Sequence, residues 1–166
     1  MKTLLLLRHA KSSWKEIDMR DFDRPLNARG RKAAPLIGKH LREQKLTPDL
    51  VLSSPAERAR QTATLVMESA GLNAELRYDE RIYEASLEQL LEVVAQTGDG
   101  TETLLLVGHN PGMEELIQRL TGASQRMRTA TLARIDLDTD GWSKVRAAEG
   151  AGRLKFAISP KDLAED

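Results

Sequence analysis

Thr3-Leu4-Leu5-Leu6-Leu7-Arg8-His9 and Thr103-Leu104-Leu105-Leu106-Val107-Gly108-His109 are two apolar runs, each unbroken and each followed within two residues by a histidine. A short run without polar alternation fits a strand covered on both faces. Leucine is a weak β former, so the first run alone could equally be a turn of buried helix. The intervening chain decides the matter. Asn27 can cap a helix to about Gln44, with Ala33, Leu36, Ile37 and Leu41 on one side. Pro48 closes the connection, and Asp49–Ser53 reads as a second strand.

Ser54-Pro55-Ala56-Glu57 combines a capping residue, a proline at the first helical position and a glutamate at the third. It predicts a helix to about Ala70, with Ala59, Ala63, Val66, Met67 and Ala70 as its apolar stripe and Gly71 as its stop. Ala74–Tyr78 is a third strand, and Ser86 caps a helix through Gln96. Gly108-His109-Asn110-Pro111-Gly112 leads into a helix ending near Gly122. Thr131–Leu137 and Trp142–Ala147 flank an Asp-Gly turn and read as a hairpin, with Leu154–Ile158 as a further strand. The alternation predicts an α/β fold: a three-layer α/β/α sandwich with a mixed, mainly parallel sheet, in one domain over residues 1–166.

Composition narrows the function. Lys plus Arg and Asp plus Glu each total 25 in 166 residues, and a neutral chain lacks the basic excess of a nucleic-acid or anionic-membrane binder. Without cysteine there is no disulfide, thiolate nucleophile or thiolate-held metal. The apolar start meets Arg8-His9 too early for a secretory signal, and no stretch approaches the ~20 apolar residues of a spanning helix. A cytoplasmic location is the expectation, with no metal and no cofactor.

Three strand ends collect the chemistry. Arg8-His9 follows the first strand, Ser53-Ser54-Pro55 the second, bringing Arg58, and Gly108-His109 the Thr103–Val107 strand. Ligands of open α/β sheets bind beyond the carboxyl ends of strands, so two imidazoles and two guanidiniums have a reason to converge. Arginine matches phosphate oxygens with planar paired donors, and a helix start adds N–H groups. Such a pocket suits phosphoryl transfer without a metal. Neutral imidazole is a nucleophile at cellular pH, and neighbouring arginines favour that form. A phospho-His9 intermediate would split one displacement into two.

The motifs Leu7-Arg8-His9-Ala10-Lys11-Ser12 with Arg24-Pro25-Leu26-Asn27, Ser53-Ser54-Pro55-Ala56-Glu57-Arg58, and Gly108-His109-Asn110-Pro111-Gly112 together resemble the histidine phosphatase superfamily (phosphoglycerate mutase-like). The small size, the Arg-His-Ala-Lys-Ser opening and Ile158-Ser159-Pro160 resemble its SixA-type phosphohistidine phosphatase branch. The resemblance implies that His9 is the phosphorylated residue, that Arg8, Arg58 and His109 form the phosphate pocket, and that a proton donor of other members falls near Glu84. It implies a phosphorylated protein as substrate, such as a histidine phosphotransfer domain. The rival readings are a small-molecule phosphomonoesterase or mutase acting on phosphate esters, and a non-catalytic phosphate- or phosphoprotein-binding module.

Other residues divide by position. Lys11, Ser12 and Ser13 are candidate donors to the phosphate. Arg58 is preferred to Arg60 because the first helical turn lies nearest the strand end. Arg24 and Arg29, near the mouth, read as solvated charge over the alternative of guiding an acidic substrate, His40 as a structural or surface residue, and Trp14 as a lid anchor or a rim contact for a protein.

Overall fold

The computed structural model describes residues 1–16, 18–147 and 149–163. Strands β1 (Lys2–Arg8), β2 (Leu50–Ser53), β3 (Glu75–Tyr78), β4 (Thr103–Gly108), β5 (Leu132–Leu137) and β6 (Arg153–Ile158) form one sheet in the order β3-β2-β4-β1-β5-β6. The pairs β3/β2, β2/β4 and β4/β1 are parallel, and β1/β5 and β5/β6 are antiparallel. Helices α1 (Ala28–Glu43), α2 (Glu57–Ala70), α3 (Leu87–Ala95), α4 (Gly112–Thr121) and the short α5 (Pro160–Leu163) complete the α/β/α sandwich.

The leucine runs explain the layering, because successive strand residues point to opposite faces. Leu4, Leu6, Leu104 and Leu106 pack with Leu90, Val94, Met113 and Leu116, under α3 and α4. Leu5, Leu7, Leu105 and Val107 pack with Ile37, Leu41, Ala63 and Val66, under α1 and α2. Every residue of Leu4–Leu7 is fully buried. Burying one such side chain contributes about 1.5–3 kcal/mol, so the central strands are anchored from both faces and hold Arg8-His9 and Gly108-His109 at one sheet end.

Asn27 caps α1 by accepting from the Gly30 N–H at 2.8 Å, and its own N–H donates to the Lys11 carbonyl. Gly30 lies so close to the Lys11 backbone that any Cβ there would clash. The start of α1 is thereby fixed to the loop that follows β1. Ser86 forms a reciprocal capping box with Gln89 on α3. Gly71 and Gly122 end α2 and α4 in left-handed conformations.

Two sequence expectations are corrected. Ser54 does not cap α2; the N-cap is Ala56 and the helix begins at Glu57. The Ser54 hydroxyl instead meets His109, a partner 55 residues away that no local rule can weigh. Trp142–Ala147 is not a hairpin strand, because Trp142–Arg146 forms a 3-10 helix and β5 pairs with β6. Trp142 is fully buried and its indole N–H donates to the Thr101 carbonyl at 2.7 Å. Trp142 and Val145 are buried three residues apart, a helical spacing that seats both against the α3 side.

Candidate active site

Arg8 and His9 leave the end of β1, His109 the end of β4, and Arg58 the first turn of α2 after β2. All four line one cavity of about 460 Å³, shared with Lys11, Ser12, Ser13, Trp14, Arg24 and Asn110 among others. The His9 and His109 ring centroids lie 5.1 Å apart. Arg60, the rival of Arg58, lies outside this cavity and stacks over Tyr78.

His9 is 6% exposed, and its Nδ1 lies 2.7 Å from the Ala10 carbonyl oxygen. A carbonyl can only accept, so Nδ1 carries the proton and Nε2 keeps its lone pair. Burial pushes the His9 pKa down to about 4, and the charges of Arg58, Arg8 and Arg24 add to the effect against the Ala10 hydrogen bond. The ring is neutral at cellular pH. Its backbone is held as well: the His9 N–H donates to Gly108, while its carbonyl accepts from Ala130 N at 3.0 Å.

His109 Nε2 lies 2.7 Å from Ser54 Oγ. Ser54 Oγ also accepts from the Ala56 N–H, and its own hydrogen can be directed at His109 Nε2. Burial, then His9 and Arg58, lower the His109 pKa to about 3. A neutral His109 whose Nε2 accepts must carry its proton on Nδ1. That nitrogen is buried without a protein partner. Such a donor is costly unless an acceptor arrives, and a phosphoryl oxygen is a suitable one.

The arginines are set by different devices. Arg8 Nη1 donates to the Met127 carbonyl, which also accepts from Asn110 Nδ2. Glu114 joins that group by accepting from Met127 N and Asn110 Nδ2. Burial lowers the Arg8 pKa, partly offset by Glu114. Arg58 donates through Nη1 to the Asp21 carbonyl at 2.7 Å and through Nη2 to Asp21 Oδ2 at 3.0 Å. The Nε atoms of both Arg8 and Arg58 are buried without a hydrogen-bond partner among the described residues.

Sequence reasoning missed Asp21, in the 3-10 turn Asp21–Asp23. Its carboxylate also accepts from Arg24 and from the Tyr83 hydroxyl, whose ring packs edge-on to His109. Burial would raise the Asp21 pKa, but hydrogen bonds from Tyr83, Arg24 and Arg58 hold it at about 2. Arg24, expected to be solvated, is 7% exposed, lines the cavity and donates to Ser12 Oγ. It lies 3.5 Å under the ring of Trp14, which is 76% exposed at the cavity mouth. Thr62, also unforeseen, accepts from Ala10 N and donates to the Arg58 carbonyl, joining the His9 loop to α2.

Lys11 is exposed and lines the cavity, and Ser12 Oγ is engaged by Arg24. Glu84 is exposed, in a left-handed conformation at φ 52°, and is not among the lining residues. His40 sits away from the cavity, edge-on to Phe156. Among the described residues, no group of three or more His, Asp or Glu could hold a metal ion, and no helix is long and apolar enough to cross a membrane.

A buried, neutral imidazole with a free lone pair, flanked by permanent cations and unpartnered donors, can accept and stabilise a phosphoryl group. Residues 4–91 match the model of the histidine phosphatase superfamily (branch 1), and the chain belongs to that family. An uncharacterised chloroplast protein of Arabidopsis thaliana is 30% identical over 170 residues, which cover 96% of this chain and 78% of that protein. The fold aligns with the structure of the protein histidine phosphatase SixA complexed with tungstate, with TM-score 0.83 and 23% identity, covering 97% and 99% of the two chains. A structure from Agrobacterium tumefaciens, provisionally designated phosphohistidine phosphatase SixA, aligns with TM-score 0.82 and 30% identity, covering 96% and 98%. Within its family the chain thus groups with the SixA-type branch.

Proposed function

We propose that this protein is a metal-independent phosphatase that hydrolyses protein phosphohistidine through a phospho-His9 intermediate, in the cytoplasm. The observation that carries the reading is the Nδ1–H to Ala10 hydrogen bond, which leaves Nε2 of a neutral ring as the attacking atom. The Nε2 lone pair forms a bond to phosphorus while the substrate's P–N bond breaks, its electron pair going to the departing imidazole. An imidazole protonated on its distal nitrogen leaves neutral, so no proton is delivered in that step. Water then attacks the phospho-His9 phosphorus, the electron pair of the P–Nε2 bond returns to the ring, and inorganic phosphate departs carrying the water oxygen, the water's protons going to phosphate and solvent. Arg8, Arg58 and His109 hold the oxygens as charge spreads over them, with Lys11 and Ser12 nearer the entrance.

The preference for a phosphorus–nitrogen bond over an ester rests on the acid–base groups. An alkoxide leaving group needs a proton. Among the described residues no carboxylate lines the cavity, Glu84 is outside it, and Asp21 is held ionised by its three partners. Replacing His9 with Ala is expected to abolish turnover of a phosphohistidine protein while leaving inorganic phosphate bound within a few-fold of wild type. Substantial residual turnover, or no acid-labile phosphoenzyme on rapid quench of wild type, would refute the reading.

A further inference from the structure

Beside the cavity lies a second groove of about 360 Å³, lined by Arg29, Arg128 and Lys161 with Ser159, and joined to the cavity through Lys11 and Thr129, which line both. The cations come from separate parts of the chain. Lys11 is on the loop after β1, Arg29 in the first turn of α1, Arg128 on the segment entering β5, and Lys161 on α5. All four are exposed. None makes a side-chain hydrogen bond or ion pair to another described residue, and no carboxylate among the described residues lines the groove. Asp162, next to Lys161, accepts from the N–H and hydroxyl of Ser159 and is not among the residues lining the groove.

In a chain whose formal charge sums to zero, four cations line one groove without an ion pair to any described residue, a local concentration of positive charge. We infer that this groove is an anion subsite receiving acidic side chains of the protein substrate, next to the residue that carries the phosphoryl group. The inference rests on the proposed protein phosphatase reading and adds what the enzyme recognises outside the phosphoryl group. A protein fits better than a small polyanion because the cations are long, exposed and spread over four elements. Trp14, exposed at the cavity mouth and stacked on Arg24, adds an aromatic anchor of the kind that dominates protein contacts. The attraction acts between exposed groups, so salt weakens it.

The test uses histidine peptides of equal length, with Asp/Glu or with Ser/Gln flanks, phosphorylated chemically with phosphoramidate. Each is assayed as a substrate and as an inhibitor of p-nitrophenyl phosphate hydrolysis. Wild type is expected to favour the acidic peptide about tenfold in both measurements at low salt, the sum of a few exposed ion pairs. The triple variant R29E/R128E/K161E should bring that preference to within about twofold while p-nitrophenyl phosphate turnover stays within twofold of wild type. The neutral variant R29Q/R128Q/K161Q should fall between, which guards against a folding defect in the charge-reversed chain. Hydrolysis of both peptides without preference overturns the groove and leaves the phosphatase reading standing. Acid-selective inhibition without hydrolysis does the opposite. Inorganic triphosphate inhibiting more tightly than the acidic peptide, and losing that advantage in the triple variant, would assign the groove to small polyanions and overturn the protein subsite.

Discussion

Replacing Ser54 with Ala removes one oxygen from a site with no access to water, and its effect can be bounded from the structure. The hydroxyl is fully buried and lies 2.7 Å from His109 Nε2. Its loss leaves a buried ring nitrogen without a partner, costing about 1–3 kcal/mol of folding stability. For turnover the upper bound is loss of the whole His109 donor, about 10²–10³ in kcat by analogy with removing one oxyanion donor. Ser54→Ala keeps that ring but no longer fixes which nitrogen carries the proton. A net bond worth about 1 kcal/mol corresponds to about fivefold in kcat/KM. The assay is p-nitrophenyl phosphate hydrolysis beside His109→Ala, with stability followed by urea unfolding. Stability lost with kcat/KM unchanged would show that Ser54 has a packing role alone. A loss equal to that of His109→Ala would mean that His109 contributes nothing without Ser54, and a greater loss would refute the assumption that Ser54 acts only through His109.

Three other outcomes follow from the same geometry. The unfolded chain protonates His9 near pH 6.5 while the folded chain resists until about pH 4, so the unfolded state binds more protons in that window. His9 thus lowers stability by about 3 kcal/mol as pH drops through it, with His109, held to about 3, adding to the same slope. His9→Asn should flatten part of that slope in urea titrations at pH 4–6.5; an unchanged slope would contradict the buried neutral ring, since Asp21 titrates below this range. Asp21→Ala should weaken turnover severalfold by freeing Arg58 and Arg24, while tightening inhibition by inorganic phosphate if the carboxylate competes with phosphate for Arg58; unchanged inhibition would remove that competition. Glu84→Gln should leave phosphohistidine hydrolysis within about twofold, and a loss concentrated on alkyl phosphates rather than p-nitrophenyl phosphate would restore Glu84 as a proton donor.

The parts of the molecule legible in sequence were those that depend on near neighbours or on strand ends. The leucine runs announced strands covered on both sides, and two of them carried His9 and His109 to one cavity because parallel strands finish together. Asp21 was illegible because its importance lies in reaching Arg58, 37 residues onward, and Tyr83, 62 residues onward. Arg24 looked like any loop cation until Asp21, Ser12 and Trp14 enclosed it. Ser54 obeyed the capping pattern in letters, yet its hydroxyl went to a histidine on another strand. Trp142 followed a turn signal, yet its burial against the α3 side and the bond from its indole N–H to Thr101, 41 residues back, lie beyond any local pattern.

The antiparallel course of β5 has a consequence for how this enzyme can change. β1, β2 and β4 stop where β5 starts, so the chain re-enters the sheet beside His9, the nucleophile we propose. The stretch making that re-entry holds Arg8 through Met127, braces His9 through Ala130 and places Thr129 and Arg128 at the rim. On the proposed reading, new residues at 128 and 129 alter what the groove selects, while Met127 and Ala130 keep Arg8 and His9 in place. The residues proposed for specificity and those that brace His9 and Arg8 share one short segment yet occupy different positions in it, so the first could drift without disturbing the second.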